Sequence, residues 1–292
     1  MIGQLSMSVD GRIRDNIQEA IDILRMFEPP EGYFLAFSGG KDSQCVYHLA
    51  QDAGVKFDAH YAVTSVDPPE LVRFIKENYP DVHFKIPHDA DGKPVTMWNL
   101  IPKKRMPPTR IARYCCEHLK ESAGKYRVTL TGVRKSESVN RKKNQGLVTI
   151  MQAGKKMTKR IEATGANFTK TIRGGVVLNF DNDTSRNVVD MCYRTTKTLV
   201  NPIINWAEED VWWYLDRKGI KHCCLYDEGF KRIGCIGCPM SSNAANEFGR
   251  WPKYRENYIK TFDKMLELGV KDGIAYKHWK TGKDVFDWWV SC

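Results

Sequence analysis

The chain has 292 residues, of which 42% are hydrophobic and 27% charged, and this composition is ordinary for a soluble globular protein. No apolar run approaches the roughly 20 residues that a membrane span needs, and the first ten residues contain no signal-peptide block, so we expect a cytoplasmic protein with no membrane partner. The formal net charge of +10 favours polyanions or anionic substrates, although a generally basic surface explains it equally well.

The first 140 residues alternate between helical and strand-like patterns. Residues 12–27 carry apolar side chains at helical spacing, and residues 33–37 form a short apolar run before a Ser-Gly-Gly turn. Further strands are predicted at 57–63, 82–86 and 127–131, and further helices at 43–53, 69–79 and 109–122. Helices between successive strands make those strands parallel, so the pattern predicts an α/β fold with a doubly wound, mostly parallel sheet.

The remainder of the chain changes character twice. Residues 141–190 are rich in Lys, Asn, Thr and Gly, with β-prone pieces at 147–151 and 175–180, and we interpret them as a basic, β-rich insertion. Helical patterns return near 206–215, 251–267 and 282–290. We therefore expect a nucleotide-binding core at 1–140, an insertion at 141–190, and the rest of the core with a cysteine loop and C-terminal helices at 191–292.

The sequence Ser38-Gly39-Gly40-Lys41-Asp42-Ser43, here called the phosphate loop, lies between a predicted strand and a predicted helix. Its glycines permit a tight turn that offers backbone N–H groups to an anion, and the helix N-terminus adds a positive dipole. Lys41 supplies a cation, and Ser38 and Ser43 supply hydroxyl donors. The spacing is not that of a Walker A loop. A turn with no ligand is the alternative.

Three further segments accompany this loop. They are Gly132-Val133-Arg134-Lys135-Ser136-Glu137-Ser138 with Arg141 behind it, Asn201–Trp206 followed by Glu209–Trp212, and Leu225–Phe230 leading into Cys235-Ile236-Gly237-Cys238. Together with the loop, they resemble the phosphoadenosine phosphosulfate reductase-like branch of the adenine nucleotide α-hydrolases, whose fold is Rossmann-like. The phosphate loop itself resembles the SGGxDS loop of enzymes that cleave ATP between the α- and β-phosphates.

This resemblance implies roles for individual residues. Nucleotide binding falls to the phosphate loop residues Ser38, Gly39, Gly40, Lys41, Asp42 and Ser43 and to Gly132, Arg134 and Arg141. The catalytic residues would be Lys41, Asp42, which would help to hold Mg²⁺, and Arg134. Arginine forks suit phosphate and sulfate oxygens, although solvation at the surface is the alternative for both arginines.

Nine cysteines in a chain without an export signal indicate metal ligands or redox thiols rather than disulfides. The resemblance implies a [4Fe–4S] cluster held by Cys115, Cys116, Cys235 and Cys238. Cys224 or Cys223 could replace Cys115 as a ligand. Zinc at the same thiols, or no metal at all, are the competing interpretations.

Two features favour ATP chemistry over sulfate reduction. The loop retains its lysine, and the chain lacks the Glu-Cys-Gly-x-His tail that reductases of this family carry. The resemblance thus implies an ATP pyrophosphatase that adenylates an acceptor for sulfur transfer, with a sulfur donor such as a cysteine desulfurase. The alternatives are a reductase that makes sulfite from a nucleotide sulfate (APS or PAPS), and a regulatory partner that senses nucleotide without turnover.

The acceptor is suggested by charge. Between residues 134 and 197 there are 14 Lys or Arg against five Asp or Glu, including the run Arg141-Lys142-Lys143. Such a strip could bind the phosphate backbone of DNA or tRNA, and a solvated basic insertion is the alternative.

Overall fold

A computed structural model describes residues 2–121, 124–241 and 243–291, with side chains from residue 11 onward. Twelve α-helices and eight β-strands are assigned within these ranges. The helices are α1 (Ile2–Met26), α2 (Lys41–Ala53), α3 (Pro69–Asn78), α4 (Met97–Lys104), α5 (Tyr114–Cys116), α6 (Val139–Asn144), α7 (Gly154–Glu162), α8 (Asp183–Cys192), α9 (Glu208–Arg217), α10 (Ala244–Arg250), α11 (Pro252–Lys271) and α12 (Gly282–Ser291). The strands are β1 (Tyr33–Ala36), β2 (Phe57–Ala62), β3 (His83–Lys85), β4 (Val128–Leu130), β5 (Val148–Ile150), β6 (Thr169–Lys170), β7 (Val176–Leu178) and β8 (Thr198–Val200).

The chain divides into two compact units. Unit 1 comprises Met1–Tyr61, Glu77–His83 and Gly124–Cys223, and unit 2 comprises Ala62–Lys76, Phe84–Ala123 and Cys224–Cys292. Nearly all of the sheet belongs to unit 1.

The eight strands form a single sheet in the order β3-β2-β1-β4-β8-β5-β7-β6. β1 pairs in parallel with β2 and β4, and β4 pairs in parallel with β8. β5 runs antiparallel to β8 and to β7, and β6 runs antiparallel to β7. Buried residues on successive positions of β1 and β4 suit strands covered on both faces. The prediction of an α/β fold with a mostly parallel sheet is confirmed.

The segment 141–190 contributes three strands to this sheet. Val148 and Ile150 of β5 and Val176 and Leu178 of β7 are fully buried. Its apolar strands therefore extend the core of unit 1, while its basic side chains lie on the helices, on the turns and, for Lys170, on the exposed strand β6.

Helices α1, α2 and α9 pack together within unit 1. The Arg12 guanidinium lies 2.7 Å from the buried Asp210 carboxylate, so it joins α1 to α9. The Tyr214 hydroxyl donates to Asp52 at 2.7 Å and joins α9 to α2. Asp52 and Tyr214 lie near the carboxyl ends of α2 and α9, so this contact holds the two helices side by side.

Unit 2 is mainly helical, and α11 packs against α4 and α12. Its core is aromatic, with Tyr258, Phe262 and Trp289 buried together. The Trp289 indole donates to the Pro108 carbonyl at 2.6 Å. The helical C-terminal part is thus present, as the sequence predicts.

The helix predicted at 109–122 is wrong in its first part. Helical structure begins only at Tyr114 and continues as a π-helical turn over Glu117–Glu121. The Thr109 hydroxyl accepts from the Ala112 N–H at 2.9 Å, and such a local side-chain bond competes with helix formation. Ser122 lies outside the described residues.

Across the described part of the chain, no helix combines the length and the apolar character needed to cross a bilayer.

Candidate functional site

The phosphate loop connects the carboxyl end of β1 to α2. Gly39 has φ +72°, a left-handed conformation that glycine adopts without strain. The Ser43 hydroxyl donates to the Gly40 carbonyl at 2.9 Å and lies 3.1 Å from the Ser38 hydroxyl. Gly40 is the N-cap of α2 and has no side chain to cap it, which leaves the helix N-terminus suited to an anionic ligand.

Lys41 is buried, with only 4% of its surface exposed. Its ammonium lies 3.2 Å from Glu208 Oε1 and 3.8 Å from Asp42 Oδ2. The ring of Trp212, on the same helix as Glu208, lies 6.0 Å away. The Lys41 ammonium thus lies between the carboxylates of Asp42 and Glu208.

Arg134 is also buried and fixes the other side of Asp42. Its Nε lies 2.6 Å from Asp42 Oδ1, and its Nη1 donates to the Ser136 hydroxyl at 2.9 Å. The Arg134 N–H donates to Glu137 Oε2 at 3.0 Å. Arg134, Asp42, Lys41 and Glu208 therefore form a chain of alternating positive and negative charge along the loop.

Gly132 explains how β4 approaches the loop so closely. A Cβ at this position would lie 2.7 Å from the backbone carbonyl carbon of Asp42 and 3.0 Å from its Cβ. Any side chain here would displace the first turn of α2. The structure therefore brings Gly132 and Arg134 against the phosphate loop.

Arg141 lies on α6 and pairs with Glu137, one turn before it. The predicted contact between Arg141 and a nucleotide stays a prediction.

Glu208 is the residue of this site that the sequence reasoning missed. It is the first residue of α9 and directly precedes Glu209–Trp212, one of the segments that carry the family resemblance. A signal was present, because three acidic residues in a row follow a strand that neighbours β4. Asp210, the third of them, is instead structural, since its carboxylate accepts from the Ala207 N–H at 2.8 Å.

The predicted cluster cysteines all lie in unit 2. Within the Cys235–Cys238 loop, the Ile236 N–H donates to the Val66 carbonyl at 2.8 Å, and the Tyr258 hydroxyl donates to the Ile236 carbonyl at 3.1 Å. Gly237 has φ +69°, and a Cβ there would lie 2.4 Å from Phe248 Cζ. The loop conformation therefore requires glycine between the two cysteines.

The four thiols of Cys115, Cys116, Cys235 and Cys238, here called the four-cysteine group, influence one another electrostatically. Hydrogen bonding from Cys115 and from Arg113 lowers the pKa of Cys116 to about 5. The same bond to Cys116, together with burial, raises the pKa of Cys115. Of this adjacent pair, Cys116 is therefore the thiol that ionises first.

Lys120 supplies a compensating cation. The pKa of its ammonium is raised by the negative charges of Cys235, Asp67 and Cys116, and the ammonium also hydrogen-bonds Cys235. The Lys120 side chain as a whole is exposed. Thiolates are the ligands that iron–sulfur clusters take, so the donor chemistry of the group fits such a cluster. In the described ranges, however, no three or more His, Cys, Asp or Glu side chains are arranged as a closed metal site.

The alternative ligands are placed differently. Cys224 is exposed, and its charge acts on Arg250. Cys223 is buried and belongs to unit 1. The first four predicted ligands thus lie in unit 2 and act on one another electrostatically, whereas the exposed Cys224 acts on Arg250.

Residues 32–241 match the family model described as phosphoadenosine phosphosulfate reductase domain. An uncharacterized protein of Methanocaldococcus jannaschii is 26% identical over 245 residues, which are 80% of this chain and 46% of that protein. An adenosine 5'-phosphosulfate reductase of Neisseria meningitidis is 40% identical over 53 residues, 18% of this chain and 22% of the reductase.

The chain spans about half the length of the two Methanocaldococcus jannaschii proteins it matches. Among solved structures, phosphoadenylyl-sulfate reductase from Candida auris overlaps 74% of this chain and 87% of its own, with a TM-score of 0.43 and 14% identity.

Proposed function

Since the chain belongs to the phosphoadenosine phosphosulfate reductase domain family, we propose that it is an ATP pyrophosphatase that adenylates an acceptor for sulfur transfer. The observation that carries this proposal is Lys41. A complete phosphate loop presents a buried lysine between two carboxylates, and a triphosphate offers the anionic oxygens that such a lysine binds.

The loop residues would act on ATP as follows. Lys41 and the N-terminus of α2 would bind the β- and γ-phosphates, and Asp42 and Glu208 would hold a Mg²⁺. Arg134 fixes Asp42 and neutralises part of its charge. When bound, Mg²⁺ would supply positive charge to the departing pyrophosphate.

The reaction then proceeds in two displacements. An acceptor oxygen forms a bond to the α-phosphorus while the bond between that phosphorus and the oxygen bridging to the β-phosphate breaks, and pyrophosphate leaves. A sulfur nucleophile, as sulfide or as the persulfide of a donor such as a cysteine desulfurase, displaces AMP from the acceptor. After a persulfide attack, a thiol must supply two electrons to release the thiolated product.

We assign the four-cysteine group to a [4Fe–4S] cluster. When bound, the cluster would supply a store of sulfide or an electron. Beside the group, Arg113 donates to Cys116 Sγ and favours the thiolate of that residue, and the Lys120 ammonium supplies a second cation. Serine variants of Cys115, Cys116, Cys235 and Cys238 are expected to lose iron, whereas C224S keeps it.

Reduction of a nucleotide sulfate is the second candidate. It is favoured by the local similarity to proteins named adenosine 5'-phosphosulfate reductase. On this alternative the phosphate loop binds the nucleotide sulfate, a thiol reductant supplies two electrons, and sulfite and AMP are released instead of pyrophosphate.

One experiment separates these functions. Protein purified without oxygen is assayed for iron and sulfide, and for AMP and pyrophosphate formed from ATP with and without nucleic acid. K41M should abolish turnover, while K56M, at an exposed lysine of unit 1, should not. Sulfite formed from adenosine 5'-phosphosulfate without ATP cleavage would favour the reductase. No turnover of either nucleotide would favour a sensing role.

A further inference from the structure

The basic segment of unit 1 is divided by the direction of one strand. β1, β4 and β8 end at the same edge of the sheet, here called the carboxyl edge, where the phosphate loop and Arg134 follow β1 and β4. β5 runs antiparallel to β8, with Val148 opposite Val200 and Ile150 opposite Thr198. β5 therefore starts at the carboxyl edge and ends at the opposite edge, here called the amino edge.

The helices on either side of β5 consequently lie at different edges. α6 precedes β5 at the carboxyl edge, and α7 follows it at the amino edge. Two hydrogen bonds place the end of β5 at the amino edge. The Met151 N–H donates at 2.8 Å to the carbonyl of Lys197, the residue just before β8, and the Ala153 N–H donates to the Gly174 carbonyl at 3.0 Å. The 14 basic residues counted along the sequence thus do not form a continuous strip.

α7 carries the denser set of cations. They are the exposed residues Lys155, Lys156, Lys159 and Arg160. Ile161 is buried on the other side of the helix. On sequence alone this helix is the stronger candidate for binding a polyanion, yet it lies at the edge away from the phosphate loop.

α6 carries fewer cations at the edge that matters for the reaction. Lys142 and Lys143 are exposed, and neither forms an ion pair in the described part of the chain. Arg141 is already paired with Glu137. The Ser138 hydroxyl caps α6 by accepting from the Arg141 N–H at 3.2 Å, only four residues after Arg134. The helix is therefore tied to the turn that contacts the phosphate loop.

On the basis of the function proposed above, we propose that the acceptor is a nucleic acid whose phosphates bind Lys142 and Lys143 of α6. The acceptor oxygen must reach the α-phosphorus of a nucleotide held at the carboxyl edge. Phosphates bound on α6 lie at that edge, whereas phosphates bound on α7 are displaced by at least the length of β5, about 10 Å for three residues. Lysines without carboxylate partners can neutralise phosphates without first breaking an ion pair.

The test compares two double variants with the same change of charge. Wild type, K142E/K143E and K155E/K156E are titrated with a labelled single-stranded DNA, its duplex and bulk tRNA at several salt concentrations, and AMP formation is measured with the same nucleic acids and sulfide. K142E/K143E should raise the nucleic acid concentration needed for half-maximal AMP formation by on the order of tenfold. It should also lower the slope of log K against log salt by about 1.4 to 1.8. K155E/K156E should keep AMP formation close to wild type.

Opposite results would overturn the assignment. They are a larger loss of turnover in K155E/K156E, equal losses in both variants, or wild-type protein that binds none of the three nucleic acids. Exchange of labelled pyrophosphate into ATP, measured in the presence of the nucleic acid and without a sulfur donor, reports separately on the adenylation step of the proposed function. If wild type binds nucleic acid through α6 but shows no exchange, the pyrophosphatase proposal fails while the docking surface stands. Circular dichroism and thermal unfolding check that both variants are folded.

Discussion

Glu208 Oε1 lies 3.2 Å from Lys41 Nζ, and the lysine is 5% exposed whereas the glutamate is 50% exposed. One partner of the buried cation is thus a half-exposed carboxylate. A phosphate that enters the loop competes with Glu208 for the same ammonium.

From this competition we expect E208Q to bind ATP more tightly than wild type when Mg²⁺ is absent. The gain should be about two- to fivefold, because a half-exposed ion pair contributes about 1 kcal/mol at most. Titration calorimetry in EDTA measures it. E209Q is the matched control, since it removes the same charge from the same helical turn. Equal tightening in both variants would show that only the net charge of α9 matters.

The pair between Asp42 and Arg134 leads to a stability prediction. D42A leaves the buried guanidinium without its carboxylate and should lower the free energy of unfolding by about 3 kcal/mol. The double variant D42A/R134M removes both charges and should lose less than the sum of the two single changes. Urea unfolding followed by circular dichroism provides the values, and strict additivity would argue against a coupled pair.

The Cys235–Cys238 loop offers a matched pair of glycines. G237A introduces a Cβ at φ +69° that meets Phe248, so it should reduce both thermal stability and the iron content of anaerobically purified protein. G234A, in the same loop, meets nothing within 4 Å and should behave like wild type. Iron analysis and thermal unfolding of the two variants test this, and an unchanged iron content in G237A would contradict it.

His48 predicts a pH dependence of stability. Burial is the main cause that lowers its pKa, assisted by the nearby Lys218 and opposed by hydrogen bonding to Gln51. The folded state therefore resists protonation. The contribution of His48 to stability is complete above about pH 6.5, which is the pKa of a histidine in the unfolded chain. This contribution is lost as the pH falls from there through the pKa of His48 in the folded state.

H48Q should flatten the decrease of melting temperature on acidification below about pH 6.5. H278Q, at an exposed histidine, should leave that slope as it is in wild type. Thermal unfolding measured at closely spaced pH values compares the three proteins. An identical slope in H48Q and wild type would remove His48 as its source.

The order of helices and strands in unit 1 follows from local signals. The apolar run before Ser38 and the paired glycines predict β1, the phosphate loop and α2 directly, because each depends on neighbours in sequence. The Thr109–Ala112 turn escaped prediction because a single hydroxyl bond decides against helix there. The contact between Lys41 and Glu208 is not predictable from local sequence, because more than 160 residues separate Glu208 from the phosphate loop. The pairing of β4 with β8 brings the two residues together.

The antiparallel direction of β5 also has no local signature. Short β-prone pieces at 147–151 and 175–180 predict strands but not the edge at which each begins. For this reason the sequence suggests a single basic strip, whereas the sheet separates Lys142 and Lys143 from the cations of α7.

The pairing of β4 with β8 also bears on how the chain folds. Leu130 lies opposite Val200, 70 residues later. β4 therefore cannot pair with β8 until most of unit 1 has been synthesised. Contacts so distant in sequence slow folding. Until β8 is available, β4 exposes an unpaired edge on which other chains can aggregate. We therefore expect fragments that end before β8 to aggregate on the ribosome or after release, and chaperone demand during synthesis to persist until residue 200 has emerged.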